Sequence, residues 1–173
     1  MFIYTDNIDS NICKNLIKFY ETSNDKEINK TKYTSMTQIS VDIHNSFLVS
    51  YLKELTAIKD KYVKKYNHLD TGQEPWNLSP TLKIQKYEIG ECYNGWHAES
   101  TGHLNTTNRL LVFSTFLNTI NKGGETEFFY QQQKIKPKEG TTILFPAFWT
   151  HTHRGNMAAE IKYLITGWYT YVH

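Results

Sequence analysis

Apolar positions along the chain change their period near residue 80. Before that point Ile12, Leu16, Ile17 and Tyr20 recur at helical spacing behind Asp9 or Ser10, either of which can cap a helix. A longer amphipathic helix is predicted where Leu48, Tyr51, Leu52, Leu55, Ile58 and Tyr62 share one face. Phe2 to Tyr4 is a short apolar run suited to an edge strand, and the polar stretch Glu21 to Thr37 reads as loop. The apolar stripes of both helices are expected to pack onto a sheet.

Gly72 to Pro80 forms a turn-rich connector, and beyond it short apolar or alternating runs alternate with turn signals. Strands are predicted at Leu82 to Glu88, Tyr93 to Glu99, Arg109 to Leu117, Glu127 to Tyr130, Thr141 to Phe145 and Lys162 to Tyr171. Asn121 to Gly124 and Pro137 to Gly140 are turns between them. Many short strands after a helical layer predict an α+β fold, a double-stranded β-helix (jelly roll) with N-terminal helices packed on one sheet. The expected organisation is one domain over 1–173, with a helical N-terminal region over 1–70 and a jelly-roll core over 80–173.

Composition narrows the class. The 173 residues are enough for a substantial core, and 14% aromatic content without low-complexity tracts argues against disorder. A formal charge of +2 gives no support for a nucleic-acid-binding surface. Lys53, Lys59, Lys61, Lys64 and Lys65 are interleaved with acids, as on a solvated helical face. No window approaches the roughly 20 apolar residues of a membrane span. The N-terminus lacks the basic start and apolar stretch of a secretory signal, so the expected location is cytoplasmic. Cys13 and Cys92 suggest neither a disulfide framework nor a zinc spacing.

Three local signals carry chemistry. His97-Ala98-Glu99 on a strand would project an imidazole and a carboxylate from one face toward a single cation. Some fifty residues later, Leu144-Phe145-Pro146 ends a strand and opens an aromatic segment carrying His151 and His153. Two histidines and one carboxylate make the facial triad of non-haem iron(II) oxygenases, although zinc can occupy the same donors. Lys162 shares strand parity with Leu164, Thr166 and Trp168. A lysine in such apolar company needs an anionic partner if it is buried, or else it begins the strand and reaches solvent.

The order of these motifs resembles the prolyl 4-hydroxylase-like branch of the 2-oxoglutarate and iron(II)-dependent dioxygenases. The resemblance runs from about Leu82 to Tyr171. It rests on Lys86-Tyr87-Glu88-Ile89-Gly90, on Tyr93 to Glu99, and on Arg109 leading a strand. It continues in Gly123-Gly124-Glu125-Thr126, in Pro137-Lys138-Glu139-Gly140, in His151, and in Lys162-Tyr163 leading to Thr166-Gly167-Trp168.

That resemblance implies iron(II), 2-oxoglutarate and O2 as cofactor and cosubstrates, with ascorbate a candidate addition. It implies His97, Glu99 and His151 as metal ligands, His153 being the rival of the same strand parity. Lys162 would hold the distal carboxylate of 2-oxoglutarate, completing the catalytic set His97, Glu99, His151 and Lys162. Tyr87 and Thr126 are expected to add hydroxyls near the cosubstrate. Ser114 and Thr115 lie on a pocket-lining strand, and Thr115 is counted with the cosubstrate residues. Tyr93, Trp96 and Trp149 can shape a substrate entrance or serve as core, and His103 is expected in a loop.

One departure stands out. The family usually has aspartate where this chain has Glu99, which adds roughly 1.5 Å of reach. The expected reaction is C–H hydroxylation coupled to decarboxylation of 2-oxoglutarate to succinate, on a prolyl residue of a peptide or protein. Free amino acids, other small molecules and nucleobases are alternative substrates, and a non-catalytic jelly-roll binding module or a zinc hydrolase are alternative classes. The sequence sets no oligomeric state.

Overall fold

Alternation along the strands sorts side chains into two layers, one under the helices and one around a cavity. The computed structural model describes residues 1–71 and 74–172; Gly72 and Gln73 of the expected connector lie outside the described residues. Its strands are β1 (Tyr4–Asn7), β2 (Glu27–Lys30), β3 (Ser35–Asp42), β4 (Trp76–Leu78), β5 (Thr81–Tyr87), β6 (Arg109–Phe116), β7 (Thr126–Phe128), β8 (Gln133–Ile135), β9 (Thr141–Pro146), β10 (His153–Gly155) and β11 (Lys162–Tyr171). The helices are α1 (Ser10–Thr22) and α2 (Val49–Lys65).

Helix α1 begins where predicted because the Asp9 side chain accepts from the Asn11 amide at 2.7 Å. The main sheet is antiparallel, in the order β1-β9-β6-β11-β5-β3-β2, with β4 pairing the far end of β11. A smaller antiparallel sheet, β10-β7-β8, faces it. Cys13, Leu16 and Tyr20 of α1 and Tyr51, Leu55, Ile58 and Tyr62 of α2 pack with Ile39, Ile84, Phe113, Leu144 and Ile165 on one face of the main sheet. Met36, Val112, Phe128, Phe145, Leu164 and Trp168 fill a second core between the sheets. The architecture is α+β with a jelly-roll core and helices on one face.

The N-terminal region departs from expectation. It is not purely helical, because β1, β2 and β3 join the main sheet, and β3 pairs with β5 from Thr37↔Lys86 to Asp42↔Thr81. The stretch Glu21 to Thr37 therefore contains β2 and the start of β3, not a loop. Its polar character has a physical reason: β2 is the edge strand of the main sheet, and Glu27 and Lys30 are exposed on it. Tyr93 to Glu99 forms no regular strand and is tied to its neighbours by the bridges Thr34↔Tyr93 and His97↔His153 and by single backbone hydrogen bonds such as Asn94 to Tyr33 and Glu99 to Ala147. Both cysteines are free and buried. Among the described residues no helix is long and apolar enough to cross a membrane.

Candidate metal and cosubstrate site

His97 and His153 meet because their backbones form one antiparallel bridge. The His97 amide donates to the His153 carbonyl at 3.0 Å and the His153 amide to the His97 carbonyl at 2.9 Å, which brings the two rings to 4.3 Å between centroids. The Glu99 amide, anchored on the Ala147 carbonyl at 3.0 Å, turns the carboxylate back toward them. Its Oε1 lies 3.5 Å from His97 Nε2 and 3.7 Å from His153 Nε2. One donor atom from each of the three residues falls within 4.8 Å of the others.

The orientation of each donor is fixed from behind. His97 Nδ1 donates to the Gly95 carbonyl at 2.9 Å, and His153 Nδ1 donates to the His151 carbonyl at 3.0 Å. Both rings thus present the Nε2 lone pair to the shared centre, as ligating histidines do. Tyr93 packs on the His97 ring at 4.0 Å, and Phe145 meets His153 edge-on at 4.9 Å. Glu99 Oε2 points the other way and accepts from Arg109 Nη1 at 2.8 Å and from Trp168 Nε1 at 3.0 Å. The Arg109 guanidinium stacks 3.7 Å above the Trp168 ring, so each donor braces the other. Burial alone would raise the Glu99 pKa. Attraction to His153 and His97 outweighs it and holds the carboxyl well below the usual range. Two imidazoles and one ionised carboxylate are the donor set that suits iron(II).

His151 is not part of this cluster, which corrects the expectation from sequence. Trp149–His151 forms a 3₁₀ turn, so strand parity starts only at His153. The buried His151 ring instead donates from Nε2 to the Met1 carbonyl at 3.1 Å and accepts at Nδ1 from Thr150 at 3.0 Å. His153 takes the place that sequence reasoning gave to His151.

Lys162 stands at the inner end of a cavity of about 360 Å³, within the usual range for a small-molecule site. It is 2% exposed and pairs across the sheet with Tyr87, over whose ring its ammonium sits at 4.6 Å. Its one hydrogen bond goes to the Gly124 carbonyl at 3.3 Å, and no carboxylate approaches within 4.0 Å among the described residues. Gly123 and Gly124 both have positive φ, which lets the turn direct that carbonyl inward. Burial pushes the Lys162 pKa down to about 8. A buried cation without an anion fits the distal carboxylate of a keto acid.

Tyr87 and Thr126 also line the cavity. The Tyr87 hydroxyl donates to Gln85 at 3.1 Å, and Gln85 donates to Gln38 at 3.3 Å, a polar wall that sequence reasoning missed. Thr115 does not line it. Its hydroxyl bonds Tyr51 at 2.9 Å and Thr142 at 2.7 Å on the helix side, whereas Ser114 faces the cavity. Arg109 and Trp168 were the other omissions. Parity with Lys162 does place Trp168 on the cavity face, but its bond to Glu99 spans 69 residues and leaves no local trace. His103 is an exposed loop residue, and Trp96 and Trp149 are exposed.

Comparisons with known proteins agree with this geometry. The family model of the 2OG-Fe(II) oxygenase superfamily matches residues 82–170. No curated protein sequence matches the chain. Among solved structures, a viral collagen prolyl hydroxylase of Paramecium Bursaria Chlorella virus-1 has a TM-score of 0.75 at 18% identity, with 99% of this chain and 97% of that one covered. A prolyl-4-hydroxylase of Pseudomonas putida gives 0.76 at 14% identity, covering 99% and 94%. A Trichoplax adhaerens prolyl hydroxylase, solved with a hypoxia inducible factor peptide, gives 0.76 at 16% identity, covering 98% and 83%. The chain belongs to the 2OG-Fe(II) oxygenase superfamily, as a 2-oxoglutarate-dependent dioxygenase that uses iron(II), 2-oxoglutarate and O2.

Proposed function

We propose that the protein hydroxylates a prolyl residue of a peptide or protein, with 2-oxoglutarate decarboxylated to succinate. The observation that carries the reading is the convergence of His97, Glu99 and His153 on one centre in the same cavity as the unpaired Lys162. The fold shared with prolyl hydroxylases supports the substrate class.

In this reading His97 Nε2, His153 Nε2 and Glu99 Oε1 hold iron(II). When bound, the metal with 2-oxoglutarate and oxygen supplies the oxidising power for the C–H bond. Lys162 orients the cosubstrate by its charge, and Tyr87 and Thr126 border the same end of the cavity. Arg109 and Trp168 occupy Glu99 Oε2, so only Oε1 remains for the metal. That division absorbs the extra methylene of glutamate and prevents the carboxylate from chelating through both oxygens. Coordination positions needed by the keto acid and oxygen then stay open.

The test is succinate formation from 2-oxoglutarate with proline-containing peptides, with and without iron(II), in wild type and His97→Ala. Iron-dependent succinate release stimulated by peptide is the expected outcome. No 2-oxoglutarate binding by metal-loaded wild type would sink the reading.

A further inference from the structure

Charge in the cavity is one-sided. Lys83, Arg109, Arg154 and Lys162 line it, against the single carboxylate of Glu99. Iron(II) and the dianion of 2-oxoglutarate cancel each other, so loading the site leaves the excess in place. Arg109 is committed to Glu99 at 2.8 Å, and Arg154 to Glu127 at 2.9 and 3.0 Å. Lys162 serves the cosubstrate in the proposed reaction. Lys83 is left over. Its ammonium lies 5.8 Å from the centre of the Trp168 ring, and among the described residues no carboxylate comes within 4.0 Å of it.

Its position separates it from the cosubstrate end. Lys83, Gln85 and Tyr87 alternate onto the cavity face of β5, and their β11 partners are Thr166, Leu164 and Lys162. Four residues of strand put Lys83 roughly 13 Å along from Tyr87 and Lys162. Thr166 also pairs with Ser114 of β6, and the Thr166 hydroxyl donates to the Phe113 carbonyl at 2.8 Å. That leaves the Lys83 ammonium and the Ser114 hydroxyl as the polar ends of a row across three strands. Trp168 links this row to the metal centre, because the ring beside Lys83 donates its N–H to Glu99. A group held by Lys83 would therefore sit beside Trp168, the residue that bonds the Glu99 carboxylate.

We propose that Lys83 recognises a carboxylate on the substrate, so that the oxidised C–H bond belongs to a carboxylate-bearing compound. The inference rests on the hydroxylase reading and specifies its substrate. One ammonium with a hydroxyl in the same row matches a monoanion, whereas a phosphate dianion is usually gripped by arginine forks or backbone N–H nests. The carboxylate is that of an acidic residue beside the proline or the free C-terminal carboxylate of proline itself.

Calorimetry on the full chain loaded with zinc(II) and 2-oxoglutarate distinguishes these sources without turnover. The first pair of probes is terminally blocked Gly-Pro-Asp-Gly against Gly-Pro-Asn-Gly; the second is N-acetyl-Gly-Pro with a free carboxylate against its carboxamide. The acid of one pair should bind about tenfold tighter than its neutral partner, the scale of one charge-assisted contact. An advantage in the first pair identifies an acidic peptide, and one in the second a free carboxylate. Lys83→Gln should abolish the advantage, and Lys83→Glu should turn it into a preference for the neutral member. Equal binding within both pairs, binding undetectable for all four probes, or an advantage that survives in Lys83→Gln overturns the proposal. Titration of 2-oxoglutarate into the chain loaded with zinc(II) alone tests the oxygenase reading separately.

Discussion

The two faces of β11 differ in what they are built for. Tyr163, Ile165 and Tyr169 point under the helices into an apolar core, where each side chain has apolar neighbours. Lys162, Thr166 and Trp168 point into the cavity, where Lys162 is buried without an anion and Trp168 donates to a carboxylate. One strand thus carries a face that stabilises the fold and a face that works against it until ligands arrive. The general lesson is that a buried polar group left unsatisfied by the protein marks where a ligand belongs.

The largest effects should come from the metal donors. His153→Ala is expected to abolish iron(II) binding, a loss beyond the roughly 10–100-fold seen on deleting an outer-shell partner. His151→Ala should leave about one metal per chain by elemental analysis while lowering stability by about 1–2 kcal/mol, because it removes the partner of the Met1 carbonyl. Metal retained in His153→Ala and lost in His151→Ala would reverse the assignment.

Next come substitutions that set the two faces of β11 against each other. A pKa held by burial at about 8 instead of 10.5 means that the ionised Lys162 costs the folded state about 3 kcal/mol near neutral pH. The sign follows from a folded pKa below the unfolded one: the cost is complete below pH 8 and fades as pH rises toward 10.5. Lys162→Met should therefore raise the stability of the ligand-free protein in urea melts while eliminating 2-oxoglutarate binding. Ile165→Ala, on the opposite face, should lower stability by about 2–5 kcal/mol and leave the 2-oxoglutarate affinity of the folded fraction unchanged. A Lys162→Met protein less stable than wild type would mean that the ammonium is satisfied within the fold.

The helix face was also the legible one. Leu16, Tyr20, Leu55 and Tyr62 announced α1 and α2 through their period, and β5, β6, β9 and β11 showed as apolar runs, because that layer is held together by apolar contact. The cavity face was harder to read. The exposed edge strand β2 made Glu21 to Thr37 look like a loop, and the three-residue strands β8 and β10 are too short to show a period. Parity arguments found Lys162 and Trp168 on one face because β11 is regular. They could not separate His151 from His153, which share parity, and the spacing that favoured His151 did not show the 3₁₀ turn over Trp149–His151 that takes it out of the strand. Thr115 was misplaced by the opposite route: β6 is regular, but nothing along the chain marks which of its faces meets the helices. The bond from Trp168 to Glu99 depends on tertiary closure and left no local trace.

A smaller effect is expected from pH. 2-Oxoglutarate should bind best where Lys162 is charged, below about pH 8. Above that, binding must take up a proton, so affinity should fall by up to about tenfold per pH unit. Calorimetry in buffers of different ionisation enthalpy checks this directly, since proton uptake should approach one per ligand near pH 9. Zero uptake there would show that the lysine is charged before the ligand enters.

The smallest effect tests how the cavity face reaches the metal. Trp168→Phe keeps a ring beneath the Arg109 guanidinium but removes the N–H that meets Glu99 Oε2 at 3.0 Å. Arg109 alone then restrains that oxygen, and the longer reach of glutamate lets both oxygens swing toward a bound cation. Metal affinity should hold or rise slightly, because a chelating carboxylate offers a second bond. Affinity for 2-oxoglutarate should fall about three- to tenfold, since the keto acid now competes for the position taken by Oε2, a change of about 0.7–1.4 kcal/mol. A cobalt(II)-loaded sample reports coordination through its visible spectrum, which should shift on substitution before any 2-oxoglutarate is added. Glu99→Asp in the Trp168→Phe background should recover the keto-acid affinity if reach is the cause, because the shorter side chain limits the swing of the second oxygen. An unchanged cobalt spectrum with unchanged 2-oxoglutarate affinity would mean that Arg109 suffices, and that the tryptophan is on the cavity face for its ring alone.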